Sequence, residues 1–476
     1  MHITVVGNGY VGLVTAACLS FIGHRVIGVD NDRRKLAFLK EGIAPLYEPG
    51  LQRLLAEGMK AGRLSFSEDL ATAVCASEVI FIAVGTPGRP DGSVDLTSVE
   101  AVAEAIGRAL ASSSEGRVRV VATKSTMPVG TSARVEEIIR ASFEHAVRAT
   151  RGAQSSSQIA VLERLFVVSN PEFLREGCAI SDWLYPDRIV IGSENEQATA
   201  ILAEVYGPIL RQTFDVPDGL PPRPKGLSRV PLIVTDRRSA ELAKYAANAL
   251  LSTRISFANE IANICERVGA DVCEVMRIVG LDHRIGAHYL SAGIGWGGSC
   301  LGKDVAALIK AATDQGYEPE LLKAVLHTNT RQRHALVARL EQFLGGLEGK
   351  TVGLLGLAFK PGTDDIRDAP SLTIARTLLE RAARVKVYDP VAMPNVRAEY
   401  PDLALIYAAS ELDLARDCHA VVLVTEWDQF RRLDFHKLRS VMAGTLFVDG
   451  RNALDPRTIS QAGLTYVGVG RSSCRD

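Results

Sequence analysis

Five glycines crowd around one thiol in Gly293-Ile-Gly295-Trp-Gly297-Gly298-Ser-Cys300-Leu-Gly302-Lys303-Asp304. Glycine lets backbone approach a ligand closely. A helical run follows, so Cys300 falls near a helix N-terminus and beside Lys303, the setting in which a thiol ionises and becomes a nucleophile. The plainer reading of the same residues is a flexible turn around a buried thiol. Two further pairs have the spacing of shared work. Glu172 and Glu176 follow Asn170-Pro171, which predicts a capped helix start with both carboxylates on one face. Lys244 and Asn248, also four apart, share a face of a second predicted helix. Either pair, taken alone, would also suit a solvated surface.

A nucleotide signature stands at the other end of the chain. Gly7-Asn-Gly9-Tyr10-Val11-Gly12 follows a β-branched run and opens a helical one. Its glycines suit a tight turn, close approach to a pyrophosphate and close helix–sheet packing, with the helix N-terminus facing the phosphates. Asp30, 18 residues beyond Gly12, can accept both ribose hydroxyls and would repel a 2′-phosphate, which predicts NAD rather than NADP. Arg33 and Arg34 read as solvated helix charges. A second glycine turn, Gly353-Leu-Leu-Gly356-Leu-Ala-Phe359-Lys360, lacks the third glycine and carries a lysine that could meet a phosphate.

These groups need elements to position them. The 476 residues allow two to four domains. A net charge of −1 leaves no basic surplus for nucleic acid. The N-terminus has neither the basic nor the long apolar region of a signal peptide, and no run of about 18 apolar residues suggests a membrane span. The eight cysteines lack CxxC or zinc spacing, so no metal site is expected and a reduced, cytoplasmic protein is.

Strands are predicted at His2–Val6, Arg25–Val29, Glu78–Val84, Val118–Ala122, Leu165–Ser169 and Arg188–Ile191, alternating with helices. The polar stretch Ala149–Gln158 and the segment Asp215–Val230, with four prolines, read as loops or insertions. From Asp236 to about Val268 some thirty residues lack Gly and Pro and end at Gly269, a long helix. More helix follows through Val325–Phe343. Strands then resume at Thr351–Leu355, Arg384–Tyr388, Ala420–Thr425 and Thr445–Val448, and the order strand, glycine turn, helix, strand, Asp389 repeats the start of the chain. The expected fold is α/β: two Rossmann-like doubly wound domains, 1–235 and 346–476, joined by a long central helix and an all-α core, 236–345.

With these residues assembled, the chain resembles the UDP-glucose/GDP-mannose dehydrogenase family over essentially its whole length. The matching stretches are Gly7–Gly12, Tyr47-Glu-Pro-Gly-Leu51, Val84-Gly-Thr-Pro87, Lys124-Ser-Thr-Met-Pro-Val-Gly-Thr131 and Asn170-Pro-Glu-Phe-Leu-Arg-Glu-Gly177. They continue with Ser239–Asn248, Gly295–Asp304 and Gly356–Pro361 leading to Asp364-Asp-Ile-Arg367. The resemblance implies an oxidation of a nucleotide sugar with two NAD and one water, in a homodimer built on the helical core.

It also implies roles. Cys300 matches the nucleophile that carries a thiohemiacetal and then a thioester. Lys244 and Asn248 match groups that steady oxyanion charge, Asp304 one that handles protons or water, and Glu172 one that assists thioester hydrolysis. Gly7, Gly9, Tyr10, Val11, Gly12, Asp30, Lys35, Thr86, Thr126, Glu176, Lys303 and Arg367 match the cofactor side, with Thr126 also counted among the catalytic residues. Glu172, Phe173, Leu174, Arg175, Glu176, Arg284, Tyr289, Leu290, Ser291, Ala292, Gly293, Gly297, Phe359, Lys360 and Arg451 match the sugar-nucleotide side, with Lys244 and Asn248. Asp282–Gly286, Thr425–Trp427 and Asp449–Asn452 are similar to members acting on UDP-glucose, with GDP-mannose or a UDP-N-acetylhexosamine as alternatives. Leu301-Gly302 replaces the family's usual Phe-Pro, and Trp296 its usual Tyr or Phe. A one-step hydroxyacid dehydrogenase would leave Cys300 and the last domain without a role, and a non-catalytic sensor would not need the full set of reactive residues.

Overall fold

The computed structural model describes residues 1–113, 116–149 and 156–471. The chain forms two compact units, Met1–Ala246 and Ala247–Asp476.

In the first unit the strands are β1 (His2–Val6), β2 (Arg25–Val29), β3 (Leu64–Ser67), β4 (Val79–Ile82), β5 (Arg119–Thr123), β6 (Leu165–Ser169), β7 (Ile189–Gly192) and β8 (Leu232–Thr235). They line up as β3-β2-β1-β4-β5-β6-β7-β8, parallel except where β6 meets β7. Helices shield both faces of such a sheet, so its central strands carry apolar side chains on both sides. Ile3, Val5, Ile80, Phe81, Val120 and Val121 are accordingly fully buried. The chain leaves β1 towards β2 and later returns to β4 on the other side. That reversal opens a crevice beyond the carboxyl ends of the strands, where such sheets take ligands.

Strands β3 and β8 have no counterpart among the predicted ones. Both are edge strands of four residues, and Ile233 and Val234 of β8 are exposed, so neither shows the buried apolar run that marks a central strand. Asp215–Val230 contains no helix or strand. Of Ala149–Gln158, residues 150–155 lie outside the described residues, and a helix Ser156–Glu163 takes up its end. The predicted helix at Asn170 is corrected. Residues 170–178 are irregular, and the helix begins only at Ala179. Asn170 does not cap it, because its side chain donates to Val190 O and accepts from Tyr206 and Lys124.

The second unit holds β9 (Thr351–Leu355), β10 (Arg384–Tyr388), β11 (Leu405–Tyr407), β12 (Ala420–Leu423), β13 (Leu446–Asp449) and β14 (Thr465–Gly468). They form an all-parallel sheet ordered β11-β10-β9-β12-β13-β14. The part around Cys300 is helical, with Leu301–Asp314 and Glu320–Leu344 as the main elements. The long helix is Arg237–Val268, 32 residues ended by Gly269 at φ +75°. The boundary between the units falls within it.

Candidate active site

In the first unit, the glycine turn is built as the spacing demands. Gly7 N–H donates to Val29 O at 2.7 Å, which ties the turn to the end of β2. A side chain at Gly12 would sit 1.8 Å from Gly7 O, so this position admits only glycine. Tyr10 and Val11 open the helix Tyr10–Phe21, whose N-cap Gly9 supplies no capping side chain and has open space where a Cβ would stand. The first-turn N–H groups are therefore presented to a ligand, as a pyrophosphate requires.

Asp30 is buried at the end of β2 and accepts from Asn8 N–H at 2.7 Å, Asp32 N–H at 3.0 Å and Lys35 Nζ at 2.8 Å. Burial pushes its carboxyl up, but Lys35 and the two backbone donors outweigh that and hold it below the ordinary range. Arg33 is exposed and paired with Glu68, as expected of a solvated helix charge. Thr86 donates to Thr126 O at 2.9 Å, so those two expected cofactor residues stand together.

Glu172 lies on the irregular segment after β6, with a side chain only 6% exposed. Its carboxylate meets Lys244 Nζ at 3.2 Å and turns back onto Leu174 N–H. Phe173 stacks under the Arg188 guanidinium at 3.7 Å and lies 5.5 Å from Lys244 Nζ. Arg175 is clamped on Asp182 at 2.7 Å, and Glu176 is half-buried. Lys124 was not singled out as a site residue. It is buried, donates to Asn170 and Tyr206 at 3.2 Å each, and has Glu172 and Lys244 as its charged neighbours. Burial pulls its ammonium down to about 8, more than Glu172 restores.

In the second unit, Cys300 is the exposed N-cap of the helix Leu301–Asp314, with Ser299 Oγ 3.5 Å from its sulfur. None of the cysteines among the described residues is in a disulfide; Cys474 lies outside them. One turn on, Asp304 is 1% exposed and accepts from Asn248 Nδ2 at 2.6 Å and Lys303 Nζ at 2.7 Å. Lys303, expected on the cofactor, is thus engaged with Asp304.

The glycine loop before Cys300 is held group by group. Gly293 N–H donates to Asn259, and Gly293 O accepts from Gln332. Trp296 is gripped at both N–H and C=O by Asn329, with Arg333 also on the carbonyl. Gly298 stands at φ +90°, its Cα facing the Phe359 ring so closely that a Cβ would come within 2.8 Å of it. Leu290 and Ala292 are buried, Ser291 is exposed, and Tyr289 has φ +60°. Arg451 donates to Gly295 O at 2.9 Å, Phe359 O at 3.2 Å and Val424 O at 2.7 Å. It therefore ties the loop before Cys300 to the Phe359-Lys360 turn. Arg284 and Arg367 are paired with their neighbours Asp282 and Asp365.

The second glycine turn repeats the first at its start: Gly356 N–H donates to Tyr388 O, and Leu357 N–H to Asp389. The carboxylates then differ. Asp389 is fully buried and also receives Ala358, Val391 and Ala392 N–H and Trp427 Nε1.

Among the described residues, no helix is long and apolar enough to cross a membrane. Residues 1–210 match the NAD binding domain of the UDP-glucose/GDP-mannose dehydrogenase family, 238–331 its central domain and 353–456 its UDP binding domain. The chain is 45% identical to a UDP-glucose 6-dehydrogenase of Pseudomonas aeruginosa, covering 99% of this chain and 98% of that one. It is 43% identical to one of Rhizobium meliloti, covering 99% and 100%. Among solved structures it is similar to a UDP-glucose dehydrogenase from the archaeon Pyrobaculum islandicum, at 40% identity and a TM-score of 0.84 over 99% and 98% of the two chains. With all three domains matched in order, and an NAD binding domain leading them, the chain belongs to the UDP-glucose/GDP-mannose dehydrogenase family.

Proposed function

We propose that this chain oxidises UDP-glucose to UDP-glucuronate in two NAD-dependent steps joined by a covalent intermediate on Cys300. The observation that carries the reading is the setting of that thiol: exposed at a helix start, on a loop pinned at several of its peptide groups, one turn before a buried carboxylate fixed by Asn248 and Lys303. Full-length identity with two UDP-glucose 6-dehydrogenases supports the choice of sugar.

The Gly7–Gly12 turn would hold the NAD pyrophosphate and Asp30 its ribose, with Lys35, Thr86 and Thr126 beside them. NAD bound there would supply the hydride acceptor that each oxidation needs, one NAD per step. The first converts the C6 hydroxymethyl to an aldehyde, its hydroxyl proton leaving to Asp304 or water. Cys300 Sγ bonds to the aldehyde carbon as the C=O π bond opens and its oxygen takes up the thiol proton, giving a thiohemiacetal. Loss of the second hydride and the hydroxyl proton leaves a thioester. Water gives a proton to Glu172 and adds to the thioester carbonyl; the C–S bond breaks, the sulfur leaves as a thiolate that takes a proton from water, and the acid departs. Oxyanion charge in these steps would be met by Lys244, which also pairs with Glu172, and Asn248, which also holds Asp304. Phe173, Lys360 and Arg451, with the backbone of Tyr289–Gly293, would take the sugar nucleotide. The reading extends to three functional parts (1–235, 236–345 and 346–476), to work in the cytoplasm, and to a homodimer formed along the long helix.

The test is NADH formation with a panel of UDP- and GDP-sugars. UDP-glucose should be preferred, with two NADH per sugar and no aldehyde released. One NADH per sugar, or a preference for GDP-mannose, overturns it.

A further inference from the structure

Tyr47-Glu48-Pro-Gly50, between the second and third helices, has no role in the chemistry above. Glu48 is nevertheless buried, at 6% exposure. A buried carboxylate is retained at a cost unless its oxygens are satisfied, and here the donors come from two separate segments. One is the phenol of Tyr10, the first residue of the helix that opens from the glycine turn. The others are Gly177 N–H at 2.7 Å and, more weakly, Ile180 N–H at 3.3 Å. Gly177 stands at φ +77° directly after the segment Glu172–Glu176, and its N–H also lies 2.6 Å from the Tyr10 oxygen. One carboxylate thus gathers the start of the nucleotide helix and the end of the segment that carries Glu172. That segment is irregular, so no helix or sheet ladder sets its conformation. Its ends are set from outside, by Asn170 within the core at one end and by the Glu48–Tyr10 pair at the other.

We propose that Glu48 is a positioning residue that couples the glycine turn to Glu172–Glu176, so that cofactor and sugar nucleotide each alter the other's affinity. This rests on the reading of those two segments as the NAD and UDP-glucose sides. A ligand that fixes Tyr10 fixes the Tyr10–Glu48–Gly177 joint, and with it the far end of the other segment. By linkage the effect must be equal in both directions.

The experiment is calorimetric titration of the full chain with UDP-glucose, with and without saturating NADH, and the reciprocal pair. In the wild-type protein NADH should change UDP-glucose affinity by about fivefold or more. In Glu48→Gln, and separately in Tyr10→Phe, that ratio should fall to within about twofold of one. A direct effect of either substitution on one ligand's contacts enters both arms of the cycle and cancels in the ratio, so loss of coupling is a readout that general loosening of the site does not produce. Tyr10→Phe keeps the buried carboxylate and its backbone partners, and carries the test if Glu48→Gln does not fold. An unchanged ratio in a folded variant overturns the proposal, as does a ratio of one in the wild type. A wild type that binds NADH but not UDP-glucose overturns the substrate reading first, and the coupling with it.

Discussion

The ammonium of Lys124 is buried behind Asn170 and Tyr206, with two neutral acceptors and a charged neighbourhood of one carboxylate and one further lysine. Its folded-state value of about 8 lies below that of an unfolded lysine. Below about pH 8 both states are protonated and the fold bears the full cost, of order 3 kcal/mol. From there towards pH 10.5 the unfolded state holds the proton and the folded state does not, so wild-type stability rises with pH. Lys124→Met should therefore be the more stable protein at pH 7, by up to about that amount less the two lost hydrogen bonds, and its advantage should shrink by pH 10. Urea unfolding at the two pH values measures this; a gap that does not narrow counts against it. Cys300→Ser should keep UDP-glucose binding and lose turnover by about a thousandfold or more, with residual product held as a protein-bound ester visible by mass spectrometry. Near-normal turnover would remove Cys300 as the nucleophile. Asp30→Ala should narrow the preference for NAD over NADP, measured as the ratio of kcat/KM values. At this scale the helix-start placement of Cys300, the place of Asp30 after β2 and the glycine turn were legible because their signal is local. The conformation of Glu172 was not legible, since Lys244 and Asn170's distant partners decide it.

Among the elements, the loop before Cys300 depends on helices far off in sequence. Asn329 holds both polar groups of the Trp296 peptide, and Asn259, Gln332 and Arg333 hold its neighbours. Asn329→Leu leaves the Trp296 N–H buried without its acceptor, which costs about 1–3 kcal/mol. It should also lower kcat more than it raises KM for UDP-glucose, because the loop that aims Cys300 loosens; a stability loss with kcat intact would make Asn329 a packing residue only. The glycine pattern announced a shaped loop, while nothing local announced its partners, which lie more than thirty residues away. The edge strands β3, β8, β11 and β14 escaped for a related reason: three or four residues at a sheet margin show too little periodicity to stand out.

For the whole molecule, the alternation of strands and helices at both ends made the two sheets readable, and the run without Gly or Pro made the long helix so. That helix is about 48 Å long. Leu250, Phe257, Ile264 and Val268 along it are 61, 50, 48 and 70% exposed, more apolar surface than a single copy has reason to leave in water. Sedimentation should show a dimer at micromolar concentration, and Phe257→Arg with Ile264→Asp should give monomers. A monomeric wild type would defeat the dimer.

The saturation of Asp389 bears on how far the second sheet could be reprogrammed. In the first sheet the carboxylate after β2 engages two backbone amides and one lysine; in the second, four backbone amides and the Trp427 indole consume it. Grafting a third glycine into the Gly356 turn would therefore not yield a second dinucleotide pocket. The acid that should discriminate the ribose is already locked into the scaffold, and releasing it would unfasten Trp427 and the turn together. A repeated fold has specialised here by filling one carboxylate with five donors where its twin takes three.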